Sequence, residues 1–149
     1  MRVVMSPSGV GSAEKWVREQ FVIEVEACRN RQAQTKLIVL IDADAQTVQQ
    51  RLRQFDGKLR DAGVLAIPAD TEQIGRLIPK RNIETWILCL NDVQVDEDTD
   101  YKNARDRWTE LTFTAAGKLY AWTRANAPAP PSCTESLHAG ILELRKINL

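Results

Sequence analysis

The run Leu37-Ile-Val-Leu-Ile41, followed at once by Asp42 and Asp44, constrains the fold of this chain more than any other stretch. An unbroken apolar run of this length is typical of a strand in a parallel sheet, buried on both faces. Directly behind it, Val48, Leu52, Phe55 and Leu59 recur at helical spacing, and Gly63 is the natural stop. A strand that leads into a helix puts the two acids at its carboxyl end, where ligands gather in open α/β sheets. Carboxylates at i and i+2 repel unless a cation stands nearby. A hard divalent ion, Mg²⁺ or Mn²⁺, is the economical partner because it takes oxygen ligands. The competing reading is that both acids cap the helix that starts near Ala45.

The remaining punctuation supports an α/β order. Arg2–Met5 reads as a short strand, Ser6 to Ser12 as a turn, and Ala13 to about Arg31 as a helix with Val17, Phe21, Val25 and Cys28 on one face. Ser12 is the expected N-cap. Val64–Pro68 reads as a candidate extended segment, and Arg76–Pro79 is another short apolar segment. Pro79 disfavours helical geometry at Ile78, so a helix opens just beyond it, capped by Asn82 and carrying Ile83, Trp86, Ile87 and Leu90 inward. An acidic loop runs from Asp92 to Asp100. A long helix is expected over Asn103–Arg124, then a stiff Pro-rich linker at Pro128 and Pro130-Pro131, then a final helix opened by Ser132 and Glu135 at capping-box spacing. Strand–helix–strand–helix–strand followed by helices predicts an α/β fold with a small, mainly parallel sheet. The boundary expected within it separates an α/β domain at 1–100 from a helical extension at 101–149 packed on it.

Composition narrows the function classes. The 149 residues carry 20 Lys plus Arg against 20 Asp plus Glu, so no bulk field attracts nucleic acid and such a substrate would need a local basic patch. Cys28, Cys89 and Cys133 are odd in number and have no metal-type spacing, which suits reduced thiols in a cytoplasmic protein. The single histidine, His138, makes a Cys/His zinc site improbable. No apolar run is long enough for a membrane span, and the start has no signal-peptide profile.

Two further motifs carry chemistry. Ser6-Pro-Ser-Gly-Val-Gly-Ser12 lies between a strand and a helix, where backbone N–H groups can face an anion; Ser8, Gly9 and Gly11 are its phosphate candidates. It lacks the Lys-Ser/Thr of a P-loop and the third glycine of a dinucleotide fingerprint. The block Arg76-Leu-Ile-Pro-Lys-Arg-Asn-Ile-Glu-Thr-Trp86 places Lys80 and Arg81 beside Glu84 at a strand-to-helix junction. Two cations and an acid in that position suit a place where phosphates and a metal meet, or else a helix start with solvated charges.

The apolar strand ending in Ile-Asp-Ala-Asp, its helix, and the later Ile-Pro-Lys-Arg-Asn-Ile-Glu-Thr-Trp together resemble the Toprim (topoisomerase–primase) domain over roughly residues 1–95. The resemblance is closest to small Toprim-like prokaryotic proteins related to OLD-type nucleases, some of which sit in phage-defence loci. It implies a three-layer domain in which Asp42 and Asp44 hold Mg²⁺, with Glu84 as a further catalytic acid and Lys80 and Arg81 on the phosphate backbone of DNA or RNA. The implied activity is metal-assisted phosphodiester cleavage. Toprim domains also carry a glutamate after a first strand, and Arg2–Met5 matches their second strand. The expectation is therefore an N-terminally shortened form, an acid supplied from elsewhere, or an inactive relative that binds nucleic acid or a partner subunit. An exposed edge at Arg2–Met5 would favour homo-oligomers. A haloacid-dehalogenase-like phosphohydrolase also uses a strand-end Asp-x-Asp, but Gln46 stands where those enzymes favour Thr or Val.

Overall fold

The computed structural model describes residues 2–7, 13–31, 35–68, 72–104, 106, 108–124, 126–128 and 133–147. In chain order these form α1 (Ala13–Arg29), β1 (Leu37–Leu40), α2 (Val48–Asp61), β2 (Ile74–Leu77), α3 (Ile83–Leu90), α4 (Thr109–Thr123) and α5 (Glu135–Lys146). The fold is a small α/β arrangement around a parallel pair, with Leu37 opposite Ile74 and Leu40 opposite Leu77. Ladder bonds continue past the strands, from Ile41 N–H to the Leu77 carbonyl and from Ala43 N–H to the Pro79 carbonyl.

Side-chain alternation along β2 divides the interior into two cores. Ile74 joins Val39, Ile41 and Ala43 under Phe21 and Val25 of α1 and Phe55 and Leu59 of α2. On the opposite face, Leu77 joins Trp86, Leu90, Ala115, Leu137, Ile141 and Ile147, contributed largely by α3, α4 and α5. The second core depends on a close approach: a Cβ on Gly140 would fall inside the van der Waals shell of the Trp86 ring. That ring is fixed by its Nε1–H, which donates to Ser136 Oγ at 2.8 Å.

The helix ends follow their local chemistry. Thr47 and Gln50 form a reciprocal capping box on α2, and Gly63 takes a positive φ of 70° just beyond it. Asn82 caps α3 by accepting from the Thr85 N–H. For α5 the N-cap is Thr134, without a side-chain cap bond. The expected Ser132 cap, the Ser12 cap and the Pro130-Pro131 pair lie outside the described residues.

Four expectations are corrected. Arg2–Met5 is not a strand; it runs as exposed coil with Arg2 paired to Glu24 at 3.1 Å. Val64–Pro68 is likewise irregular. The long helix starts only at Thr109, because local hydrogen bonds hold the segment around 100–104 in turns: the Asp100 side chain accepts from the Lys102 N–H at 3.0 Å, and the Ala104 N–H donates to the Tyr101 carbonyl. Finally, β1 is buried on one face only, with Ile38 and Leu40 41% and 46% exposed. Helices α1 and α2 cover its inner face, whereas α5 packs over β2 and leaves Ile38 and Leu40 exposed.

Candidate metal and phosphate site at the carboxyl end of β1

The chain leaves β1 by a tight turn that separates the two aspartates. Asp44 adopts a left-handed φ of 57°, which a short polar side chain tolerates, and Gln46 N–H closes the turn on the Ala43 carbonyl at 3.0 Å. Asp42 therefore stays half-buried at the strand end while Asp44 swings out to solvent. There its Oδ1 accepts from Arg81 Nη1 at 2.6 Å. The cation that relieves Asp44 in this structure is thus a guanidinium from the chain itself.

Asp42 has a different environment. Its carboxyl is pushed from the ordinary 3.8 up to about 6, chiefly by burial and next by the negative charge of Glu84. Lys102 works in the opposite direction, Asp44 adds a smaller upward push, and the Ile83 N–H partly offsets them by bonding the carboxylate. Glu84 sits in the first turn of α3, half-buried, and its Oε2 is buried with no hydrogen-bond partner among the described residues. Arg76 does not serve it; that guanidinium reaches Asp56 at 2.9 Å and Glu143 at 4.0 Å. Among the described residues, these two carboxylates, one of them with an orphaned oxygen, have no cation as close as Arg81 is to Asp44.

Arg81 and Lys80 do converge on this rim, but not as free cations. Arg81 also lies 3.9 Å from Asp100, and Lys80 Nζ lies 3.6 Å from Asp98. Both acids belong to the loop between α3 and α4. The same loop is tied down by Asn82 Nδ2, which donates to Asp100 Oδ1 at 2.8 Å, and by Glu97, which accepts from the Ser136 N–H at 2.8 Å. Asp96 organises the loop's turn by accepting from the Asp98 and Thr99 N–H groups, from the Thr99 hydroxyl and from the Tyr101 hydroxyl; these bonds hold its carboxyl down at about 2. What looks in sequence like a solvated acidic run is a strap that neutralises the basic pair.

Arg51 is the positioning residue that sequence reasoning passed over. It is 1% exposed, bonds the carbonyl of Ala43 between the two aspartates at 3.2 Å, and also engages Gln54 and Glu14. The Arg51 guanidinium holds the Glu14 carboxyl below its usual range. Its signal was present: Arg51 stands three residues after Val48 and four before Phe55, a charge on the buried stripe of α2.

Asp42, Asp44, Glu84, Lys80 and Arg81 therefore share one rim, whereas Ser8, Gly9 and Gly11 lie outside the described residues. Among the described residues, no three acid, histidine or cysteine side chains are gathered closely enough to hold a metal ion. The donor chemistry nevertheless fits a hard cation: Asp42 and Glu84 offer oxygens, and an orphaned buried carboxylate oxygen is relieved by one. Among the described residues, no helix is long and apolar enough to cross a membrane.

No family model, curated protein or solved structure matches this chain.

Proposed function

We propose that the chain is a Toprim-like, Mg²⁺- or Mn²⁺-dependent protein that cleaves phosphodiester bonds of nucleic acid in the cytoplasm. The observation that supports this reading is the meeting, at one strand end, of Asp42 and the orphaned Glu84 carboxylate beside Arg81 and Lys80. Asp42 and Glu84 would hold the ion, and Asp44 would join them once Arg81 lets go. The bound ion would supply Lewis-acid stabilisation of the phosphoryl oxygens and a water of lowered pKa.

The chain's own part is an exchange of partners. Arg81 would trade Asp44 for a substrate phosphate, a bidentate geometry that guanidinium favours. Lys80 would trade the exposed Asp98 for the next phosphate. Each exchange leaves an aspartate to be solvated or to meet the ion, so cation and substrate help one another in. Arg51 keeps the Asp42–Asp44 turn in place throughout by holding the Ala43 carbonyl.

The test is cleavage of labelled single- and double-stranded DNA and RNA with Mn²⁺ or Mg²⁺. Activity is expected to vanish with EDTA and in Asp42→Ala, and to fall in Glu84→Gln. Arg81→Ala should weaken nucleic-acid binding and flatten its salt dependence by about one unit of slope. Binding that survives EDTA and Asp42→Ala, with no cleavage of any substrate, would replace this reading with that of a non-cleaving nucleic-acid-binding protein. The capture of Asp44 by Arg81, which keeps that carboxylate from a metal ion, gives the non-cleaving reading its support. Trapping of a beryllofluoride adduct on Asp42 would instead favour the haloacid-dehalogenase type.

A further inference from the structure

The outer edge of β1 carries a self-complementary pattern. Leu37 and Ile41 donate their N–H groups toward β2, so the alternate residues Ile38 and Leu40 turn their backbone N–H and C=O groups to the other edge. Among the described residues no strand pairs with that edge. The side chains of Ile38 and Leu40 share the sheet face that α5 leaves uncovered. Lys36 and Asp42 flank them at the next alternate positions, with opposite charges.

We propose that β1 pairs antiparallel with β1 of a second copy of this chain, about a two-fold axis beside Val39. The register follows from the pattern. Only the outward-facing residues can exchange both backbone bonds, so even-numbered positions must pair with even-numbered positions. Centring on Val39 sets Ile38 against Leu40 of the partner, and Lys36 against Asp42 of the partner, twice each by symmetry. A shift by one pairing step either way sets Ile38 opposite Asp42 or Leu40 opposite Lys36, an apolar side chain against a charge. The favoured register thus stacks four exposed apolar side chains and adds two opposite-charge pairs, the combination that stabilises cross-strand neighbours. Two β1–β2 pairs become one four-stranded sheet, and the uncovered β1 faces form the floor between the two α5 helices. The backbone pairing does not depend on the proposed nuclease reading, although the Lys36 contact falls on the same Asp42 carboxylate which that reading gives to a metal ion.

Sedimentation over a concentration series is expected to show a monomer–dimer equilibrium for the wild-type chain. Lys36→Asp, at an exposed position, puts like charges opposite Asp42 and should raise the dissociation constant by about tenfold or more. Leu40→Lys should abolish the dimer, with circular dichroism confirming an unchanged fold. The register is read by disulfides, because directly opposed residues of this type sit about 5.5 Å apart at Cα, within bridging range. Ile38→Cys mixed with Leu40→Cys should cross-link on oxidation above the wild-type background, and neither variant alone should do so. A monomer throughout the series overturns the proposal, whether a peptide or Arg2–Met5 takes the edge instead. So does a dimer untouched by Lys36→Asp and Leu40→Lys, or an Ile38→Cys protein that cross-links with itself.

Discussion

Asp42→Asn is expected to make the protein more stable at neutral pH. Burial and the neighbouring Glu84 raise the Asp42 carboxyl from 3.8 to about 6, so ionising it in the folded state is unfavourable. The sign follows from proton linkage. Between about pH 4 and 6 the folded state binds more protons than the unfolded one, so stability falls as pH rises through that window. Above about pH 7 the cost is complete; below about pH 4 it is gone. A difference of about two pKa units corresponds to at most about 3 kcal/mol. Because Asp42 is only half-buried, solvent screening reduces this to roughly 1 kcal/mol. Asparagine removes the charge and keeps an oxygen to accept from the Ile83 N–H. In a chain of this size about 1 kcal/mol shifts the melting temperature by about 2–4 °C. Thermal and urea unfolding of both proteins from pH 4 to 8 tests the reasoning through their difference, which cancels the other carboxylates. The variant should lead at pH 7.5 and the lead should close by pH 4. Saturating Mn²⁺ should stabilise the wild type and leave Asp42→Asn unmoved. An Asp42→Asn protein that is less stable at pH 7.5, or a gap independent of pH, would refute the argument.

Three other outcomes follow from the same contacts. Arg51→Met should cost about 1–3 kcal/mol in urea unfolding, because the buried Ala43 carbonyl keeps only the Gln46 N–H of its two donors and Glu14 keeps only Arg18 of its two cations. The Glu14 carboxyl is held low in the folded state, so its contribution is present above its ordinary pKa of 4.5 and is lost as pH falls below it. That acid-side loss should be smaller in Arg51→Met, with Arg18 sustaining what remains. Gly140→Ala should cost about 1–3 kcal/mol by overpacking against Trp86, visible as a red-shifted tryptophan emission and a lower melting temperature. Asn82→Ala should cost about 1 kcal/mol for the lost α3 cap, and by releasing Asp100 it should raise amide hydrogen exchange over 96–100.

Much of the local structure was legible in the chain because it depends on neighbours in sequence. Asn82 before Ile83 and Gly63 after α2 are end signals whose hydrogen bond or φ angle involves only a few residues, whereas the Thr47–Gln50 box sets the start of α2 beyond Ala45, where the aspartates were weighed as caps. The parallel order of β1 and β2 followed from an apolar run, a helix and a second short apolar segment. The grouping of Asp42 and Asp44 with Lys80, Arg81 and Glu84 was also within reach, because a strand end and a post-strand helix start share one edge of a parallel sheet. Arg2–Met5 reads as a strand by composition, yet residue type alone does not supply the neighbour that would make it one.

The sequence by itself determined that this is a small α/β chain with its acids and paired cations at one sheet edge, since periodicity and end signals act over short range. Only the tertiary structure decided which charges meet. Arg81 reaches Asp44 across 37 positions and Asn82 reaches Asp100 across 18, through contacts set by packing rather than by spacing. It also decided that Arg51 belongs beneath the aspartate turn, and that Glu84 keeps a buried oxygen with no described partner. The covering of β1 on a single face was settled in the same way, because an apolar side chain is buried only where another element lies over it and α5 lies over β2.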